Sequence, residues 1–174
     1  MSLADVSLLI LRLVVGGTFA AHGAQKAFGW WNGTGYAKWT QVMVSMRMHP
    51  APLWAFISVG AELGAGLALA LGFLTPFAAM VLIGQSVFII IKAHLPKGFF
   101  NGTGGIEFPL SLAAGLVAIL GVGPGELAID NAIRFPAFSD PFRLLLLAIG
   151  IAGGLVAISI SRLHPAPQPA ASTP

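Results

Sequence analysis

The chain has 174 residues, 56% of them hydrophobic and only 9% charged, where an ordinary soluble domain carries roughly 25% charged residues. With a mean hydropathy of +0.87, too little polar surface remains to cover a soluble core of this size, so the bilayer is the solvent. The net charge of +3 comes from scattered basic residues, with no block dense enough to bind nucleic acid.

There is no cysteine. That excludes disulfides, thiol redox chemistry and any cysteine-ligated zinc or iron–sulfur centre held by this chain. A redox role would need a diffusible or partner-held cofactor.

A spanning helix needs about 20 mostly apolar residues. Five stretches qualify, near residues 4–28, 53–72, 76–93, 106–121 and 142–161. The first carries Asp5 and Arg12 early and lacks a basic flank, so it is expected to span rather than to be cleaved as a leader. After it, Tyr36, Trp39, Val42, Met43 and Met46 recur at helical spacing, which predicts a short amphipathic helix in the headgroup plane. Only Phe73-Leu74-Thr75 separates the second and third spans, so these form a tight antiparallel hairpin. The fifth follows a proline-containing stretch at 121–141, and HPAPQPAASTP at the end reads as a disordered polar tail.

A charge near the bilayer centre costs roughly 2.5–3.5 kcal/mol on insertion scales and usually has a partner. Arg12 and Glu62 fall within antiparallel spans at what looks like similar depth, which predicts a structural ion pair between them. Small residues around Glu62 (Gly60, Ala61, Gly64, Ala65, Gly66) allow close helix approach. A phrase occurs twice, GWWNGTG at 29–35 and GFFNGTG at 98–104, each where a span runs out on the same side of the membrane.

His22 and Lys26 precede the first copy on one helical face, Lys92 and His94 precede the second, and Glu107 follows it. Gln85 and Lys92, seven residues apart, are expected to share a face. Together these groups predict a polar vestibule open to one side. In it His22, Lys26, Lys92 and His94 bind a ligand, and Glu62 and Glu107 handle protons. His22 and His94 could in principle ligate a haem iron, but no HxxxH pair, carboxylate cage or attachment motif accompanies them. A hydrogen-bonding role is preferred and no metal is assigned.

The motifs R-x(9)-HG-x-x-K-x-F-G from Arg12, E-x-x-x-G-x-x-L-A-L-G-F-L-T from Glu62, H-x-x-x-GFF…GG-x-E-F from His94 and GVGPGELAID at 121–130 stand in order. In that combination the chain resembles the DoxX family of small integral membrane proteins over about residues 7–131. The resemblance implies an all-α four-helix transmembrane bundle with Arg12, His22, Lys26, Glu62, His94 and Glu107 as its polar signature. It also implies association with membrane oxidoreductase assemblies, including a quinone-linked subunit of thiosulfate oxidation and a complex protecting against thiol and oxidative stress. The fifth span at 142–161, and Ala128-Ile129 where Ser-Leu is more usual, depart from the family pattern.

The expected organisation is therefore a DoxX-like bundle at 1–131, a linker and additional transmembrane helix at 132–162, and a disordered tail at 163–174. The expected function is an integral component of a quinone-linked electron-transfer system, with a quinone as cofactor and the bilayer and other membrane subunits as partners. Alternatives are a non-catalytic accessory subunit or a small proton-coupled transporter. Lys26, Lys38, Arg47, Lys92, Lys97 and Arg162 fall on the repeat side, against Arg134 and Arg143 opposite. The positive-inside bias then places the amino terminus outside and the carboxyl terminus in the cytoplasm of a bacterial inner membrane.

Overall fold

The structure, a computed structural model, describes residues 2–163. Its elements are α1 (Leu3–Phe28), α2 (Gly35–Ser45), α3 (Ala51–Leu71), α4 (Thr75–Lys97), α5 (Glu107–Val122), a short α6 (Ile129–Ala132) and α7 (Asp140–Arg162). Among the described residues there is no strand. Helices α1, α3, α4 and α7 are long and apolar enough to cross a membrane. Helix α5 has only 16 residues, about 24 Å of rise, less than the ~30 Å of hydrocarbon it would cross. The five spans expected from the sequence are all helical. The tail expected at 163–174 lies outside the described residues beyond Leu163.

Large apolar side chains on the outside, among them Leu13, Val14, Phe56, Leu67, Leu144 and Leu155, leave a belt that only lipid can cover. Inside, Val15, Phe19, Leu69, Leu82, Leu116, Ile119 and Leu146 form the main core. A second cluster of Met43, Met48, Ala51, Ala55, Phe88 and Ile158 lies under α2. The amphipathic helix is thus present but does more than float in the headgroups. Met43 is buried and Tyr36 Oη donates to the Pro52 carbonyl, so α2 lies across the open end of the bundle.

Lipid offers no hydrophobic incentive for one helix to join another, so packing depends on close backbone approach. A Cβ on Gly16 would lie 2.6 Å from backbone atoms of Gly66 and Ala70, and one on Gly66 would lie 2.6 Å from Ala20 N. Gly23 meets Leu63 in the same way. These glycines lock α1 against α3 in one register. A second seam joins α7 to α4, where a Cβ on Gly154 would lie 2.6 Å from the Gly84 carbonyl and one on Gly150 2.6 Å from the Met80 carbonyl. The additional span is thereby seated on the bundle of its own chain.

Both Gly16 and its neighbour Gly17 are in α1, but a Cβ on Gly17 meets nothing within 4 Å. Gly16→Val should therefore lower folded yield and thermal midpoint in detergent, by an overpacking cost of about 1–3 kcal/mol or more, while Gly17→Val leaves both near wild type. Equal behaviour of the two variants in a fluorescence size-exclusion assay would contradict the seam.

Candidate functional site

The α1/α3 register decides which charges meet. Because Gly16 faces Gly66 and Gly23 faces Leu63, Arg12 comes level with the hairpin at Gly72, where a Cβ would run into the guanidinium. Glu62 comes level with the last turns of α1. Arg12 and Glu62 are thus about 18 Å apart along the axis, and the predicted ion pair between them is not formed. Glu62, 1% exposed, instead accepts from Lys26 Nζ through Oε1.

Arg12 belongs to a polar knot at the other end. It is fully buried, its Nη2 donates to the Leu127 carbonyl at 2.7 Å, and its nearby opposite charge is Asp130. Asp130, 2% exposed, accepts from Leu74 N at 2.7 Å and Thr75 N at 2.8 Å. It serves as an N-cap for α4 supplied from another element. Asp5 accepts from Glu126 N at 3.2 Å and helps hold the same segment down.

At the Lys26 end, a cavity of ≈ 290 Å³ is walled mainly by Phe19, Phe88, Ile89, Phe108 and Leu112. Its polar lining comes from His22, Lys26, Trp39, Glu62, Gln85, Ser86 and His94. The Lys26 ammonium lies 4.1 Å from the centre of the Trp39 ring, so one cation is held by a carboxylate and an aromatic face at once. Gln85 Nε2 donates to Glu62 Oε1 and to Ser58 Oγ, both at 2.9 Å. This network leaves two buried atoms without a partner in the protein, the acceptor Glu62 Oε2 and the donor Trp39 Nε1.

His94 Nδ1 lies 2.7 Å from the Gly104 carbonyl and 3.2 Å from that of Gly105. A carbonyl only accepts, so a proton sits on Nδ1 and Nε2 is left free of these carbonyls. The second NGTG copy thus orients a cavity residue. His22 stands at the rim, exposed, with its ring edge-on to Phe108 at 6.3 Å. The exposed aromatics Trp30, Trp31, Phe99 and Phe100 surround this end, where interfacial anchors belong.

Of the residues singled out in the sequence, His22, Lys26, Glu62 and His94 come together. Glu107 and Lys92 do not line the cavity. Glu107 is exposed and accepts from Asn101 N at 2.9 Å, bracing the loop that holds His94. Lys92 Nζ donates to Ser161 Oγ on α7 at 2.9 Å. The expected shared face of Gln85 and Lys92 is broken because residues Ile90–His94 form a π-helical turn. The wider winding of such a turn takes the side chains within it, Lys92 included, off the α-helical register. Glu62 also sits in a π-helical stretch, Gly60–Ala65. Trp39 and Gln85 complete the site. Gln85 carried a signal as a polar residue in mid-span, whereas Trp39 read as an interfacial anchor.

The DoxX family model matches residues 7–95, more than half of the chain and the part that carries Arg12, His22, Lys26, Glu62, Gln85 and His94. The chain belongs to the DoxX family. The "Inner membrane protein YqjF" of Escherichia coli (strain K12) is 29% identical over 134 residues, 76% of this chain and 95% of that protein. No solved structure matches the chain. This DoxX protein is an integral membrane protein whose polar residues gather at two separate ends.

Asp130 satisfies two backbone donors and offsets a fully buried cation, whereas Lys26 is 14% exposed and keeps Trp39 when Glu62 is neutralised. Asp130→Ala should cost about 3–5 kcal/mol and abolish most folded material. Glu62→Gln, still able to hydrogen-bond, should retain it. The ordering is read from thermal midpoints in detergent, and a Glu62→Gln loss as large as that of Asp130→Ala would contradict it.

Proposed function

We propose that this DoxX protein is the quinone-binding component of an electron-transfer system in a bacterial inner membrane. Its amino end lies outside and its carboxyl end in the cytoplasm. The observation that carries the reading is the pair of orphaned buried atoms at one mostly apolar cavity, Glu62 Oε2 as acceptor and Trp39 Nε1 as donor. Leaving such groups unpaired costs about 1–3 kcal/mol each, which a ligand bearing both a hydrogen-bond donor and an acceptor on a flat apolar ring would recover. The residues fit a quinone–quinol pair on that ground.

When bound, a quinone supplies the two-electron chemistry that a chain without cysteine lacks. Trp39 holds a ligand oxygen as donor. Glu62 Oε2 would accept a hydrogen bond from a ligand hydroxyl and could take its proton, while Lys26 holds Oε1. His94 lines the same cavity, with Nδ1 committed to the Gly104 carbonyl and Nε2 left to meet the ligand. Phe19, Phe88 and Leu112 exclude water from around these groups. The inner-membrane placement is supported by the E. coli relative, an inner membrane protein by name, and the orientation by the excess of Lys and Arg at the cavity end.

Titration of the purified protein with decylubiquinone should give saturable binding. Glu62→Gln and Trp39→Phe should each weaken it by about tenfold, the loss of one hydrogen bond in a dry site, and Glu107→Gln should leave it unchanged. Equal affinity in all four proteins would overturn the assignment. For orientation, a reporter fused after Pro174 should be active in its cytoplasm-dependent form, and activity only of a periplasm-dependent reporter would reverse the topology.

A further inference from the structure

A second cavity, ≈ 270 Å³, lies between α3, α4 and α7 and is separate in character from the first. Its walls are almost wholly apolar, from Ile57 on α3 through Met80 and Phe88 on α4 to Ile149 on α7. Ile57 and Ile149 are each nearly half exposed, so the groove opens sideways toward hydrocarbon. The floor is glycine: α7 comes so close to α4 at Gly84, Gly150 and Gly154 that no side chain fills the space above the seam. Gly153, also in the lining, has open space where its Cβ would be.

The end of the groove nearest α2 is marked by Met48, Phe88 and Ala157. Met48 adjoins Arg47, Phe88 lies one turn before Lys92, and Ala157 one turn before Ser161 and Arg162. Lys92 Nζ bonds Ser161 Oγ, and Arg47 and Arg162 are the charges that act on Lys92. Three cations from α2's exit, α4 and α7 therefore converge where the groove reaches the membrane surface. The ion pairs among the described residues are Lys26 with Glu62 and Arg143 with Asp140, and none joins these three cations to a carboxylate. Three like charges held together repel unless an anion joins them.

We propose that this groove is a binding site for one anionic phospholipid, its phosphodiester held by Arg47, Lys92 and Arg162 and one acyl chain lying over Gly153. Cationic pockets between spans favour anionic headgroups, and each Lys or Arg at the surface adds to the attraction. A zwitterionic lipid brings its own cation into the cluster and forfeits the gain. The additional span at Asp140–Arg162 supplies one wall and one of the cations, which gives that span a task independent of the cavity at Glu62.

The test is native mass spectrometry of the detergent-purified protein titrated with dioleoylphosphatidylglycerol and with dioleoylphosphatidylcholine. One phosphatidylglycerol should bind at least about tenfold more tightly than phosphatidylcholine, and the triple variant R47Q/K92Q/R162Q should lose that preference. Gly153→Leu, which fills the groove without meeting backbone, should lower phosphatidylglycerol occupancy with every charge in place. Equal binding of the two lipids overturns the proposal. So does full phosphatidylglycerol occupancy in Gly153→Leu, which would mean attraction to a charged surface and no acyl-chain site.

Discussion

Backbone contact between α1 and α3 is the constraint on which the rest depends. In lipid, two apolar helices have no reason to choose one register over another unless their surfaces interlock. Gly16, Gly23 and Gly66 provide that interlock by removing the side chains that would hold the backbones apart. Once the register is set, Lys26 must lie beside Glu62 and Arg12 beside the α3–α4 hairpin. The two polar centres are thereby kept at opposite ends of the bundle.

Both centres hold buried polar atoms without a protein partner, Arg12 Nε and Nη1 and Thr75 Oγ1 at one and Glu62 Oε2 and Trp39 Nε1 at the other, but their carboxylates are held differently. Around Asp130 the carboxylate meets backbone donors on both oxygens, and the segment at 121–131 is pinned through Asp5, Asp130 and Arg12. Around Glu62 one carboxylate oxygen and one indole nitrogen have no protein partner. Local backbone irregularity also gathers at this second centre, with π-helical turns at Gly60–Ala65 and Ile90–His94. Such turns recur at functional sites because they re-aim side chains that a regular helix would point elsewhere. The knot around Asp130 reads as scaffold, and the apolar-walled cavity beside Glu62 as the place for chemistry.

Much of this was legible in the residues. Hydropathy marks the spans, and the i, i+4 spacing of His22 and Lys26 puts both at one cavity. The partner of Glu62 was not legible, because antiparallel depth depends on where the loops end and a shift of a few turns exchanges one cation for another. The face of Lys92 was hidden for a different reason, since a π-helical turn leaves no periodic mark in an all-apolar helix. Asp130 sat in a motif recognised by resemblance, yet its capping role needed coordinates, as its partners lie 55 and 56 residues away. Trp39 misled by type, since the same ring that anchors at an interface also holds a cation.

That long reach of Asp130 has a consequence for biosynthesis. Membrane helices are delivered in order, amino end first. When α1, α3 and α4 have entered the bilayer, the first amides of α4 and the guanidinium of Arg12 are already in place, but their acceptors, the Asp130 carboxylate and the Leu127 carbonyl, are still to be made. Unpaired polar groups in hydrocarbon are costly, so this three-helix stage is held back from its final packing until residue 130 arrives. The segment after α5 thus acts as a late fastener, and assembly of the bundle is timed by its position in the chain.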